Sequence, residues 1–371
     1  MTAKHKPLVR LIALSFAALL FLANIDAPAQ DAATQTKAEI GRLQQSLKEK
    51  PIANSDLADL AKGIEQGLND ADFARSAGRL YLSLESLGLA EDYFQAVRMI
   101  EENADAIKDN LPAFEVEWGK ASLEYAALDK EARQRDWTRA PAAIRALSES
   151  AQGRATPLLE GGRGFATSTK PQDGLVYMGE AKGEAGFATF LYGLNIARKG
   201  APFPLHSLLP ELEALQEKVN AAFRPPRSID MHPRFIALNS TLKFARELDS
   251  SKSYAGALYQ YLEATRHYGM LDPIVPDDAK HMALRRQVAD EYKTISASKR
   301  DDSIAQVFLE KANGWLNKSG GAAPVPDEWR SIRAIVEQVV PAYYAALKPA
   351  APLQQRAGKT ATLTLVRWPY T

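Results

Sequence analysis

The sequence predicts an all-α protein, an irregular array of antiparallel helix pairs forming a solenoid or bundle, followed by a short C-terminal β-strand. Three observations carry that prediction. Apolar residues recur at alternating steps of three and four along most of the chain, the signature of amphipathic helices. Short Pro- or Gly-rich breaks at 200–204, 224–233 and 319–326 separate the periodic segments. None of the 371 residues is cysteine, so no disulfide helps, and a chain of this length can bury a core large enough to hold it.

The N-terminus reads as an export signal. Lys4, Lys6 and Arg10 precede the apolar stretch Leu11 to Ala23, and Ala27-Pro28-Ala29 is an A-x-A cleavage site. The predicted division is a signal peptide over 1–29 cleaved after Ala29, a helical domain over 30–348 with a subdivision near 153–174, and a linker and strand over 349–371. Such a chain is periplasmic or secreted. No later apolar run approaches the roughly 20 residues needed to span a bilayer. Removing 1–29 takes three basic residues and one acidic residue, leaving 43 basic against 44 acidic. A near-neutral chain without basic blocks offers no electrostatic footprint for nucleic acid.

The stripes can be followed in order. Leu57, Leu60, Ile64 and Leu68 form one, and Phe73, Ala77, Leu80, Leu84 and Leu87 a second. Tyr93, Val97, Ile100, Ala104, Ile107 and Leu111 form a third, which Pro112 should stop. Phe114, Trp118, Ala121, Tyr125 and Leu128 follow. Residues 153–174, with Gly161-Gly162-Arg163-Gly164, read as a long irregular loop. Leu175 to Lys199 reads as a helix with Gly179, Gly183 and Gly186 on one side. Interior glycines weaken a helix by about 1 kcal/mol each relative to alanine, so that face should either admit a neighbouring helix closely or carry a ligand. Later stripes are Leu208 to Val219, Leu284 to Ile295, Ile304 to Trp315 and Ile332 to Tyr343, the last interrupted by Pro341. Start signals precede two of them, Asp301-Asp302-Ser303 and Pro326-Asp327-Glu328. Thr360 to Trp368 alternates and is β-branched, which predicts a lone strand.

Residues 238–270 offer Phe244, Ala245 and Leu248, then Tyr254, Ala257, Tyr261 and Ala264, and so resemble one tetratricopeptide-type helix pair. Lys252 stands where that family has a turn glycine, and Gly269 where it has a closing proline. A weaker echo covers 77–110, with Leu80, Leu84 and Leu87 in one helix and Tyr93, Ala96 and Ile100 in the next. The resemblance implies binding of a protein or peptide partner on the first helix of the pair, through Asn239, Lys243 and Arg246.

No H-E-x-x-H, G-x-S-x-G or Walker A motif is present, and no cofactor is implied. Glu149-Ser150 is similar to the Glu-Ser at the catalytic acid of lytic transglycosylases, but the rest of that signature is absent downstream. His206, His232, His267 and His281 are scattered, so a metal site would have to form across loops, for example from Asp230 and His232 with His267 or Asp272. The functional expectation is an exported scaffold binding a protein or peptide of the cell envelope through Asn239, Lys243 and Arg246, or by β-augmentation through Leu363, Leu365 and Trp368. The alternative is a small-molecule or glycan site formed by the 153–174 loop and the face of Gly179, Gly183 and Gly186. A third class is a hydrolase lacking any recognised motif.

Overall fold

The apolar periodicity is realised as helix throughout the structure, a computed structural model that describes residues 31–225, 229–273, 278–318 and 323–348. The expected signal segment, and the expected strand with Leu363, Leu365 and Trp368, lie outside the described residues. The early helices are α1 (Ala32–Glu49), α2 (Ala58–Ser76), α3 (Leu80–Ile107), α4 (Leu111–Ala132), α5 (Ala142–Ser168) and α6 (Leu175–Tyr192). The later ones are α7 (Leu209–Ala222), α8 (His232–Ser250), α9 (Tyr254–Gly269), α10 (Asp278–Ser296) and α11 (Ser303–Leu316). They end with α12 (Pro326–Ala334) and α13 (Val340–Ala346). No strand occurs among the described residues; a single parallel bridge joins Ala201 to Arg300.

Three apolar clusters run through this array. Ile40 and Leu43 of α1, Ile64 and Leu68 of α2, and Leu87 and Phe94 of α3 form the first. Ile107, Phe114, Leu159, Leu175 and Met178 join α3, α4, α5 and α6 in the second. The largest joins α5 and the end of α6 to the whole C-terminal half, around Leu242, Leu262, Phe308, Ile332 and Tyr343. Helix α6 lies against both α3 and α5 and ties the clusters together.

Several sequence expectations need correction. The 153–174 segment is helical: α5 runs through Gly161-Gly162-Arg163-Gly164, and a 3-10 turn covers Pro171–Gly174. Tertiary packing overrides propensity there, because a Cβ on Gly162 would stand 2.9 Å from the Gly174 carbonyl oxygen, an approach only glycine permits. The echo at 77–110 is one 28-residue helix, since nothing between Leu87 and Tyr93 breaks it. The Phe73–Leu87 stripe is instead cut at Gly78, whose φ of 72° turns the chain between α2 and α3. Pro112 opens α4 rather than closing α3, because a first-turn proline gives up an amide that would be unpaired anyway. The helix expected to reach Lys199 stops at Tyr192, and 193–208 crosses the surface until Ala201 pairs with the α10–α11 turn. Pro341 leaves a trace as expected. Its ring excludes the usual bond to the Glu337 carbonyl, and the ladder slips into a π turn over Ile335–Val339.

The packed pair α8–α9 is present, and the residue at its turn that replaces glycine, Lys252, adopts φ 65°. The glycine face of α6 divides. A Cβ on Gly179 would lie 2.3 Å from the Ala96 Cα, and one on Gly183 2.6 Å from the Asp92 Cα. These two glycines admit α3. Gly186 meets nothing within 4 Å.

Helices α3, α5, α7 and α9 have no capping side chain at their own N-cap. Their orphan amides are met from far along the sequence. The Glu310 carboxylate accepts from the Leu82 amide at 3.0 Å, and Asp301 and Ser303 accept from Ala142 at 2.8 Å and Ala143 at 2.9 Å. Asp249 accepts from Leu208 at 2.7 Å and Glu149 from Gly256 at 2.8 Å. Burial pushes the Glu310 carboxyl up to about 7, opposed by the amides and Gln306 that favour its ionised form.

Two predictions follow from these contacts. Gly179→Ala should lower unfolding free energy by about 1–3 kcal/mol by overpacking, whereas Gly186→Ala should raise it by about 0.5–1 kcal/mol, both read from urea titrations. Because the folded pKa of Glu310 stands above its unfolded value of 4.5, its stabilisation is full below pH 4.5 and declines as pH rises to about 7. Relative to Glu310→Gln, the native chain should therefore lose on the order of 3 kcal/mol between pH 4.5 and pH 8; parallel pH profiles for the two proteins would contradict this.

Candidate functional site

One face of α5 floors the principal cavity. Arg145, Ser148, Glu149, Gln152, Gly153 and Thr156 follow one another at steps of three and one, the spacing of a single helical face. The α8–α9 turn supplies one wall through Phe244, Leu248 and Lys252. The end of α4 and the connection to α5 supply the other, through Arg133, Arg135 and Trp137, with Arg198 from the segment after α6. The resulting groove encloses about 830 Å³. Pro157 belongs to its rim and removes the amide that would bond the Gly153 carbonyl, so the α5 backbone is polar at that point.

Charge in the groove is unevenly partnered. Its three acidic side chains are each engaged: Asp129 with Arg133 at 2.9 Å, Glu149 with Arg145 at 2.6 Å, and Glu247 with Lys243 at 3.7 Å. Arg135, Arg198 and Lys252 make no ion pair among the described residues. Arg135 is 9% exposed. Its Nη1 donates to the Ala188 carbonyl at 3.3 Å and its guanidinium lies 4.6 Å above the Tyr192 ring, which Trp137 meets edge-on at 5.3 Å. Burial pulls the Arg135 pKa down, partly countered by Glu131. Its Nε and Nη2, and the Gln152 Oε1, are buried without a hydrogen-bond partner.

Of the candidate site positions singled out from sequence, Glu149 and the start of the 153–174 segment line the groove, and the others sit elsewhere. Asn239 and Arg246 turn toward α7 rather than standing free: Gln216 donates to Asn239 Oδ1 at 3.0 Å and accepts from Arg246 Nη1 at 3.2 Å. Lys243, beside Glu247, and Asn239 are exposed, and Arg246 is half-buried. Gly179 and Gly183 are covered by α3, and Gly186 borders a separate small cavity of about 170 Å³ with Arg42, Glu91 and Phe190. Glu149 has both carboxylate oxygens occupied, one by Arg145 and one by the Gly256 amide, so it caps a helix instead of presenting an acid. His281 stacks on Trp329 at 3.8 Å and His232 tilts against Phe223. No group of three or more His, Asp or Glu stands in metal-binding geometry among the described residues.

A second polar array is internal. Lys311 of α11 reaches Glu85 at 2.8 Å and also Glu263, Tyr259 donates to Glu85, and Arg266 donates to Glu263 at 2.7 Å and to Ser331 at 2.9 Å. Burial alone would push Glu263 up, but Arg266 and Lys311 outweigh it and hold the carboxyl well below its usual range. Arg154 pairs with Glu184 close by, and burial with the Glu184 charge pushes Asp92 up. Glu85 Oε2 and Asp92 Oδ1 are buried without a hydrogen-bond partner, and no member of the array lines the groove.

Sequence reasoning missed the groove because its walls come from four separated segments; the one local signal was the polar face of α5 beginning at Arg145. No family model, curated protein or solved structure matches this chain.

Proposed function

We propose that this is an exported helical protein that binds a small molecule or a glycan segment in the groove between α5, the α8–α9 turn and the end of α4. The carrying observation is the groove itself. Its volume falls within the range of ligand sites, and it combines Trp137, Phe244 and Leu248 with convergent polar groups. The signal-like segment at 1–29 supports export. The absence of a free carboxylate pair or a free histidine on its walls favours binding over hydrolysis.

A protein or peptide partner is the second reading, and α4 favours it. Val116 and Leu123, seven residues apart and so on one face, are 58% and 77% exposed. The face of α8 supports a partner less, since Asn239 and Arg246 already serve α7.

A thermal-shift screen of sugars and organic metabolites, repeated on Thr156→Trp, tests the first reading. Thr156 is exposed on the groove floor, and the indole should fill the space without touching the core. Ligands should raise the melting temperature of the native chain and leave Thr156→Trp unmoved; equal shifts in both would remove the groove from consideration. For the second reading, affinity capture from an envelope fraction should recover a partner with the native chain and lose it with Leu123→Glu, and identical recoveries would count against α4.

A further inference from the structure

We propose that the ligand of this groove carries an oxyanion, a carboxylate or a phosphate group, seated against Arg135 and Arg198. The inference rests on the groove being a ligand site and specifies what that site selects. It comes from the pattern of partners rather than from a count of charges. Every acidic residue on the walls already has a basic partner in Arg133, Arg145 or Lys243, while Arg135, Arg198 and Lys252 have none among the described residues. The groove therefore carries three cations that stand outside any ion pair among the described residues, with Glu131 the nearest acidic influence on Arg135.

Arg135 adds geometry to that field. Its Nη1 bond to Ala188 and its stack on Tyr192 fix the guanidinium plane, and the two nitrogens left over, Nε and Nη2, share one edge. That edge offers two parallel N–H groups, the fork that grips a carboxylate or phosphate through two bonds at once. Leaving both donors unmet in a buried position is unfavourable, and an arriving oxyanion relieves it. Both atoms are closed to solvent in the unliganded chain, so the fork engages when the guanidinium leaves the Ala188 carbonyl and the Tyr192 ring and turns toward the cavity. Nearby, Gln152 Oε1 is a buried acceptor without a donor, which suits a hydroxyl or amide beside the anionic group. Trp137 borders the same wall and offers an aromatic face or edge to the ligand's body.

The test is calorimetric titration of the full chain at low ionic strength with three probes, inorganic phosphate, citrate and the neutral disaccharide cellobiose. The variants are Arg135→Gln, Arg198→Gln and, as a control that removes a cation outside the groove, Lys120→Gln. At least one of the two anions should bind saturably, and Arg135→Gln should weaken it at least about tenfold, the loss expected for a charge-assisted bond. Arg198→Gln should weaken it as well, and Lys120→Gln should leave it unchanged. Citrate binding without phosphate identifies a carboxylate ligand, and the reverse a phosphate ligand. Should Arg135→Gln fail to fold, Arg198→Gln decides, because Arg198 lies on the surface segment after α6. Anion binding that is the same in all three variants would overturn the proposal, as diffuse attraction would explain it. If cellobiose binds, is blocked by Thr156→Trp, and neither anion binds, the oxyanion falls while the groove remains a ligand site. If no probe binds and the metabolite screen finds no ligand sensitive to Thr156→Trp, both fall together.

Discussion

A helix carries four unpaired amides at its start and four unpaired carbonyls at its end, and most helices answer them within a residue or two of sequence. Here the central helices answer them across the fold. Glu310 serves α3, Asp301 and Ser303 serve α5, Asp249 serves α7, and Glu149 serves α9. Guanidinium groups do the same for the carbonyl ends. Arg98 donates to the Ser46 and Lys50 carbonyls after α1, Arg285 to the Leu316 carbonyl of α11, and Arg234 and Arg333 to the carbonyls that close α9. Where the partner is charged its sign agrees with the helix dipole, so such a contact gains electrostatically as well as by hydrogen bonding. In a chain without cysteine these directional bonds fix how far one helix slides along the next, which apolar stripes alone leave loosely determined.

The groove follows from that arrangement. Glu149 points from the floor of α5 to the first turn of α9, while Asp249, one residue beyond Leu248 on the opposite wall, holds the start of α7. The α8–α9 turn is thereby pinned at both sides without closing onto α5, and the space between stays open. The same contacts explain the charge of the walls. Acidic groups near the groove are drawn into caps and ion pairs, and cations without a capping role remain.

Helix content was legible in sequence because burial follows the stripes: Leu212, Leu215 and Val219, or Ile332, Val339 and Tyr343, are all core residues. Where sequence reasoning failed, a tertiary contact decided the outcome. Gly161-Gly162-Arg163-Gly164 has the composition of a loop, yet Gly162 supports a helix because Gly174 must approach it. The stripe from Phe73 to Leu87 read as one helix, but Gly78 within it carries the turn between α2 and α3. Gly179 and Gly183 were readable as close-approach glycines, since a run of interior glycines needs a compensation, and α3 provides it. The caps were beyond reach: Glu310 and Leu82 stand 228 residues apart, and nothing near either signals the other. Of Asn239, Lys243 and Arg246, read as solvent-facing, the first two are exposed, but the bonds of Asn239 and Arg246 to Gln216 on another helix were out of reach for the same reason.

The interior charges extend this logic from helix ends to helix sides. Lys311 with Glu85 and Glu263 joins α11 to α3 and α9, and Arg266 carries the chain on to Ser331 of α12. A buried ion pair adds little net stability over well-packed apolar groups of the same volume, so stability alone does not account for its presence. Removing one partner is a different matter, because it strands a charge away from water and costs about 3–5 kcal/mol. The asymmetry penalises every misregistered packing of these helices far more than it favours the correct one. About half of the buried residues of α6 and α9 are Ala or Gly, which by themselves interlock weakly against a slide of one turn. A slide of that size would separate Lys311 from Glu263 and Arg154 from Glu184 together. The polar interior thus supplies the register that small side chains do not, and it does so where α5, the floor of the groove, and α9, which follows its wall, are joined to the rest of the array.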